Sequence, residues 1–448
     1  VTYFFNVIGD GIDNNLVPAT GLPSEAETVL TVPFRSFGPI IDVDDTSVFD
    51  PPFGSTDALV LQYTGFHATK ELQAIQLWNR AQNLDDFLEG LAKFDVGSQN
   101  WAYADVDGNL AYFTSAEMPL RTDLEAGTVV GLPPFFVRDG TSGLNNWVPP
   151  DPDPAPDQAI PFKILPFEDM PQTDNPENDF FVNANNDPAG TTLDNDPLNQ
   201  VRISNPNAIY YLNQGYADGL RAGRITRLIE AHPGKISVND MKRFQNNTQQ
   251  LDAELMTPFL LEAFDNAGSS GAPIELADLA SDPDIIEAVD RLAKWDFSTP
   301  TGIPEGYDAK NPNGKRPPGV PTPEARASVA ATIYNMWRGQ AIRSIVDDRM
   351  TSLGILGSPL PLPGSREALK ALYNLLSLDP YTGVAAAGID WIPEPATLLA
   401  VERRDLALLQ ALRDALDRLA SPDFAPAFGE STNQNRYRWG KLHRIVFE

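Results

Sequence analysis

Between Phe180 and Pro188 an apolar run, Phe180-Phe181-Val182, gives way to three side-chain amides within four residues, Asn183-Ala184-Asn185-Asn186, and then to Asp187-Pro188. Phe and Val favour a pleated, half-buried position and Asp-Pro turns the chain, so the spacing predicts a short buried strand ending in amides. A carboxamide at such a strand end costs free energy unless something hydrogen-bonds it. It has two uses there: to cap local backbone as an Asx turn, or to donate its N–H to an external oxygen. The residues alone leave both uses open.

Two further groups carry chemistry. Asp194, Asp196 and Asn199 place clustered oxygens just downstream, a donor set that suits calcium and equally suits a solvated acidic loop. Arg221, Arg224 and Arg227 lie three apart on a helical pattern, and in so acidic a chain the plainest role for two of them is pairing with surface carboxylates. The three histidines, His67, His232 and His443, are too scattered for a zinc triad. With no cysteine there is no disulfide, no thiolate nucleophile and no Cys-based metal site.

The elements that must position these groups are legible in outline. At 448 residues and 42% hydrophobic content the chain is a folded protein of one large domain with an appendage, or of two or three domains. A formal charge of −28 argues against nucleic acid as a partner and suits a secreted protein or salty surroundings. No apolar run reaches the 18 or so residues needed to span a bilayer, and Val1-Thr2-Tyr3-Phe4-Phe5 lacks the basic start and cleavage site of a signal peptide. Val1–Ile8, Thr28–Val32 and Arg35–Ile41 read as strands of an antiparallel sheet. Residues 69–81 and 84–94 read as covering helices, the first through Leu72, Ile75, Leu77 and Trp78, the second capped by Asn83. Asn100–Val106 and Leu110–Thr114 read as a hairpin with Asp107-Gly108 as a type I′ turn. Helices are expected over 213–230, from Ser237 to Ala267, over 324–350 (stripe Val329, Ile333, Met336, Trp337, Ala341, Ile345), and over 366–376 and 402–419. The alternating Asp-Pro segment between Pro149 and Pro161 and the Pro/Gly-rich residues 298–323 read as exposed loops.

Three ordered motifs resemble the penicillin acylase family of N-terminal nucleophile hydrolases. They are Asn100-x-x-Tyr103-Ala104-Asp105-x-x-Gly108-Asn109-x-x-Tyr112 ending in Pro119 and Arg121; Leu165-Pro166-Phe167-Glu168 followed by Asn175-Pro176; and Asn183-x-Asn185-Asn186. Arg35-Ser36-Phe37-Gly38-Pro39 and Trp439-Gly440-x-x-His443 are looser matches, Phe37 standing where the family usually carries His.

The resemblance implies an α+β fold, a four-layer αββα sandwich over residues 1–236, a large helical lobe over 237–425, and a return to the sheet over 426–448. It implies that Asn185 donates its carboxamide to an oxyanion hole and that Arg221 packs beside it. It places Asp194 and Asp196 near the position of a structural calcium ligand, the reaction itself needing no cofactor. The implied activity is an amide hydrolase acting on a small acyl amide such as a penicillin, through an acyl-enzyme on an N-terminal serine. Val1 is no nucleophile, so the resemblance implies a chain that begins inside the β-subunit, needs the α-subunit and upstream β-segment of its precursor, and is inactive alone. Alternatives are an acyl-homoserine-lactone acylase and a non-catalytic relative serving as a binding or structural protein. The expected location is periplasmic or extracellular.

Overall fold

A computed structural model describes residues 2–7, 16–18, 28–31, 34–35, 38–43, 58–150, 158–304, 319–354, 362–385 and 388–443. Helices and small antiparallel sheets segregate along it, an α+β protein. Two compact units form. One comprises Val1–Phe181 and Asp196–Gln214, the other Val182–Asn195 and Gly215–Glu448. They divide the chain at 181, 195 and 214, whereas the family resemblance implies boundaries near 236 and 425. Parts of the Asp-Pro segment (151–157), of the long loop (305–318) and of the tail (444–448) lie outside the described residues.

The first unit carries the sheets. The strands are β1 (Thr2–Val7), β2 (Leu16–Pro18), β3 (Thr28–Thr31), β4 (Phe34–Arg35), β5 (Gly38–Val43), β6 (Ala58–Val60), β7 (Gln99–Ala104), β8 (Leu110–Ser115) and β9 (Gln172–Asp174). They pair in the orders β2-β1-β3, β4-β5-β6 and β7-β8-β9. Helices α1 (Glu71–Trp78) and α2 (Leu84–Leu91) cover β7 and β8, and α3 (Thr122–Glu125) follows. Leu91, Ala111 and Phe113 form the buried centre, with Trp78, Phe87 and Trp101 packed on it. Asn83 caps α2 as its residue type predicts, its side chain accepting from the Asp86 N–H at 2.9 Å.

Three local expectations are corrected here. Leu72 and Ile75 of α1 are 83% and 46% exposed, so the helix buries itself through Ala74 and Trp78 instead. The β7–β8 link is not a two-residue type I′ turn. The Asp105 carboxylate gathers the N–H groups of Asp107 and Asn109 at 3.0 and 2.9 Å, which organises a five-residue loop. Phe180-Phe181-Val182 is half-buried but outside any strand. The chain leaves the sheet once β9 ends, because Asn175 and Asp179 turn with φ of 44° and 56°, and a strand cannot pass through left-handed residues.

The second unit is helical: α4 (Leu220–Glu230), α5 (Val238–Gln245), α6 (Leu251–Ala267), α7 (Ile274–Ser281), α8 (Pro283–Ala293), α9 (Thr322–Ala341), α10 (Asp348–Leu353), α11 (Ser365–Leu376), α12 (Ala400–Leu419), α13 (Ala425–Phe428) and α14 (Trp439–Leu442). A π-helical stretch, Ile342–Asp347, joins α9 to α10. Val329, Ile333, Trp337, Ala341 and Ile345 are all buried, so the 3.6-residue stripe is the centre of this core. The Trp337 indole N–H donates to the Leu408 carbonyl at 3.0 Å, tying α9 to α12. Helix α4 starts at Leu220 rather than Asn213, and residues 213–219 are turn and loop. The sequence pattern did not single out α7 and α8. Asp282 caps α8 by accepting from the Asp284 N–H at 2.8 Å, with Pro283 at its first position.

Candidate functional site

The amide cluster and its supports lie together in the helical unit. Its three asparagines differ in what their side chains bind. The Asn183 side chain accepts from the Asn185 N–H at 3.1 Å, and the Asn186 side chain accepts from the Ala184 N–H at 3.0 Å. Asn183 thereby forms an Asx turn, and Asn186 reaches back to bind the backbone two residues before it. Asn185 does neither: it is exposed, and its carboxamide makes no hydrogen bond among the described residues. Its φ of 60° is left-handed, a conformation Asn tolerates better than most residues. The turn therefore presents one carboxamide outward while its neighbours hold the turn.

Helix α4 fixes that turn from one side. Gly219, with φ of 79°, admits the chain to the helix. Ahead of it the Ala217 N–H donates to the Asn185 carbonyl at 2.8 Å, within a bridge between Asn186 and Ala217. The Arg221 guanidinium, in the first turn of α4, donates to the Ala184 carbonyl. Arg221 and Asn185 are thus brought together through the backbone that carries the amide. Of the other two arginines, Arg227 pairs with Glu254 at 2.7 Å, an exposed contact of small energetic weight. Arg224 turns instead to amide oxygens, those of Asn247 at 2.8 Å and of Gln249.

The following loop is organised by Asp187, which sequence reasoning did not single out. Its carboxylate accepts from the N–H groups of Ala189, Gly190 and Thr192 at 2.9, 2.8 and 2.6 Å, and from the hydroxyls of Thr191 and Thr192 at 3.3 and 2.9 Å. An Asp-Pro followed by Gly-Thr-Thr is an Asx-turn signal that could have found it. Lys370, on α11, was missed for want of any local signal; its ammonium donates to the Thr192 carbonyl. Burial pushes the Lys370 ammonium down, while attraction to Asp187, Asp194 and Glu367 works against that shift.

Asp194 and Asp196 are both exposed, and Asp196 accepts from the Leu198 N–H at 3.0 Å. Among the described residues no group of three or more His, Asp or Glu side chains converges to hold a metal ion. Calcium takes six to eight oxygens; among the described residues Asp194 and Asp196 gather no such set, and the Lys370 ammonium is attracted to Asp194.

The remaining sequence candidates are structural. His232 faces Asp240 at 3.3 Å, and His443 packs on Trp439 with ring centroids 5.2 Å apart. Outside those candidates, the Ser204 hydroxyl donates to the Asp169 carboxylate, which also pairs with Arg202 at 3.2 Å. A cavity of about 330 Å³, bounded by Ile345, Trp391, Ala407 and Asp414, includes none of the candidate residues.

The family model described as penicillin amidase matches residues 19–448, and the chain belongs to that family. No curated protein matches it.

Proposed function

We propose that this member of the penicillin amidase family is an acylase that cleaves a linear amide through an acyl-enzyme, with Asn185 as the oxyanion donor. The observation that carries the reading is the division of labour in the cluster. Asn183 and Asn186 bind backbone, while Asn185 is held outward with its carboxamide in no hydrogen bond among the described residues. Penicillin amidases hydrolyse amide bonds, and such a reaction uses a donor that local backbone has not already taken.

The attacking hydroxyl in this scheme belongs to an N-terminal serine. Its own α-amine, with an ordinary pKa of about 7.7–8, takes the hydroxyl proton as the oxygen adds to the substrate carbonyl. Negative charge on that carbonyl oxygen is met by the Asn185 carboxamide. The amine then returns the proton to the leaving nitrogen, the C–N bond breaks, and water releases the acyl group by the same sequence in reverse roles. Arg221 acts through Ala184 and does not touch substrate in this scheme. The sheets and their covering helices belong to a four-layer αββα sandwich that carries a large helical lobe and pairs with an α-subunit cut from the same precursor, working in the periplasm or outside the cell. No helix among the described residues is long and apolar enough to cross a membrane.

The test is Asn185→Ala in the mature enzyme processed from its full precursor. Loss of one oxyanion donor is expected to lower kcat about a hundredfold, with KM little changed. A fall of less than about threefold would remove Asn185 from the role.

A further inference from the structure

We propose that Lys370 is a positioning residue for Asn185, its ammonium bracing the acidic loop behind the amide cluster where a divalent cation would otherwise be looked for. The kinetic half of this inference rests on the acylase reading, and the structural half does not.

The amide turn is clamped at one end by α4 and the residues leading into it, through Arg221 and Ala217. At its other end Asp187 folds residues 187–192 into a closed loop with five donors on one carboxylate. That closure turns the Thr192 N–H and hydroxyl inward and leaves its carbonyl to Lys370. An ammonium offers three donors and no acceptor, so it satisfies this carbonyl and adds attraction to Asp187 and Asp194 in one group. Its reach is anchored: Leu369 and Leu372, flanking it on α11, are buried in the helical core. The loop is thus tied to a rigid helix through a cation. Among the described residues Asp194 and Asp196 alone give too few ligands for calcium, and a positive charge attracted to Asp194 works against a second one there. Freed at this end, the turn can carry Asn185 out of line, and a displacement of 1 Å costs up to about a hundredfold in rate.

The mature enzyme is compared with Lys370→Met and Lys370→Arg, each alone and with Asn185→Ala, using a chromogenic acyl anilide and hydrogen exchange at the amides of residues 189–192. Lys370→Met is expected to lower kcat about tenfold with KM within about twofold, and to speed exchange at these amides. Lys370→Arg, which keeps the charge, should restore most of both. In the Asn185→Ala background Lys370→Met should cost no further kcat, because the group it positions is already gone. Chelation of the parent enzyme with EDTA should change neither exchange nor kcat.

Loss of activity on chelation, returned by calcium, overturns the proposal. So does parental exchange and kcat in Lys370→Met, or a double variant whose losses multiply in full. A parent enzyme that hydrolyses no acyl amide defeats the acylase reading instead, and the brace is then judged by exchange alone: faster in Lys370→Met supports it, unchanged refutes it. The chelation arm on the parent needs no variant to fold.

Discussion

Asn185 joins two properties in one residue, a left-handed backbone and an outward-facing carboxamide. They are separable by substitution. An L-residue without a helping side chain costs about 1–2 kcal/mol in the left-handed region, and glycine costs nothing there sterically. Asn185→Ala and Asn185→Gly both delete the donor, so both are expected to lose turnover to the same degree, while the alanine variant unfolds at lower urea by a difference of about 1 kcal/mol. Equal stability with unequal kcat would mean that the turn, not the amide, carries the effect. Neither property was readable from sequence in full. Three asparagines in four positions announced a cluster, but which of them caps backbone depends on φ at each residue. The contact from Arg221 to Ala184 depends on where α4 begins.

At the scale of elements, what repeats locally was legible and what depends on distant partners was not. The α9 stripe from Val329 to Ile345 is buried as its period demands, and Asn83 and Ser237 cap the helices they precede. The strand expected at Phe180–Val182 failed because β8 already had its neighbours, β7 and β9, and the chain turned away at Asn175. The α5 cap makes a pH prediction. Asp240 accepts from the Ser237 hydroxyl and N–H at 2.6 and 2.7 Å. The Ser237 hydrogen bonds, with Arg243 and His232 nearby, hold its carboxyl far below the usual range. A depressed carboxylate stabilises the fold fully above its unfolded pKa of about 3.9, and that support fades as pH falls below it. Asp240→Asn should therefore be less stable than the parent at pH 7 by urea denaturation, the gap narrowing towards about pH 2.5. A gap that stays constant would assign the cap to the hydroxyl alone. For α9, Trp337→Ala empties a fully buried site and removes the indole hydrogen bond to the Leu408 carbonyl. A loss of about 3–5 kcal/mol in urea denaturation is expected.

For the whole molecule the governing quantity is charge. The chain holds 61 acidic and 33 basic residues, and several of its arginines are committed to short-range pairs such as Arg138–Asp123, Arg202–Asp169 and Arg404–Asp405. Those pairs are buried, and salt screens buried charges weakly. Carboxylates nevertheless outnumber cations almost two to one, and the exposed ones, Asp194 and Asp196 among them, repel one another across the surface. Salt therefore acts mainly on repulsion: the Debye length falls from about 10 Å at 0.1 M to about 3 Å at 1 M, which separates neighbouring surface charges from one another. Raising sodium chloride from about 0.1 to 1 M should raise the midpoint of thermal unfolding, by about 2–4 °C for each kcal/mol of repulsion removed. Calorimetry with both compact units followed is the measurement, since each can melt separately. A midpoint that falls with salt would mean that exposed pairs such as Arg227–Glu254 outweigh the repulsion, and such pairs seldom contribute more than about 1 kcal/mol each.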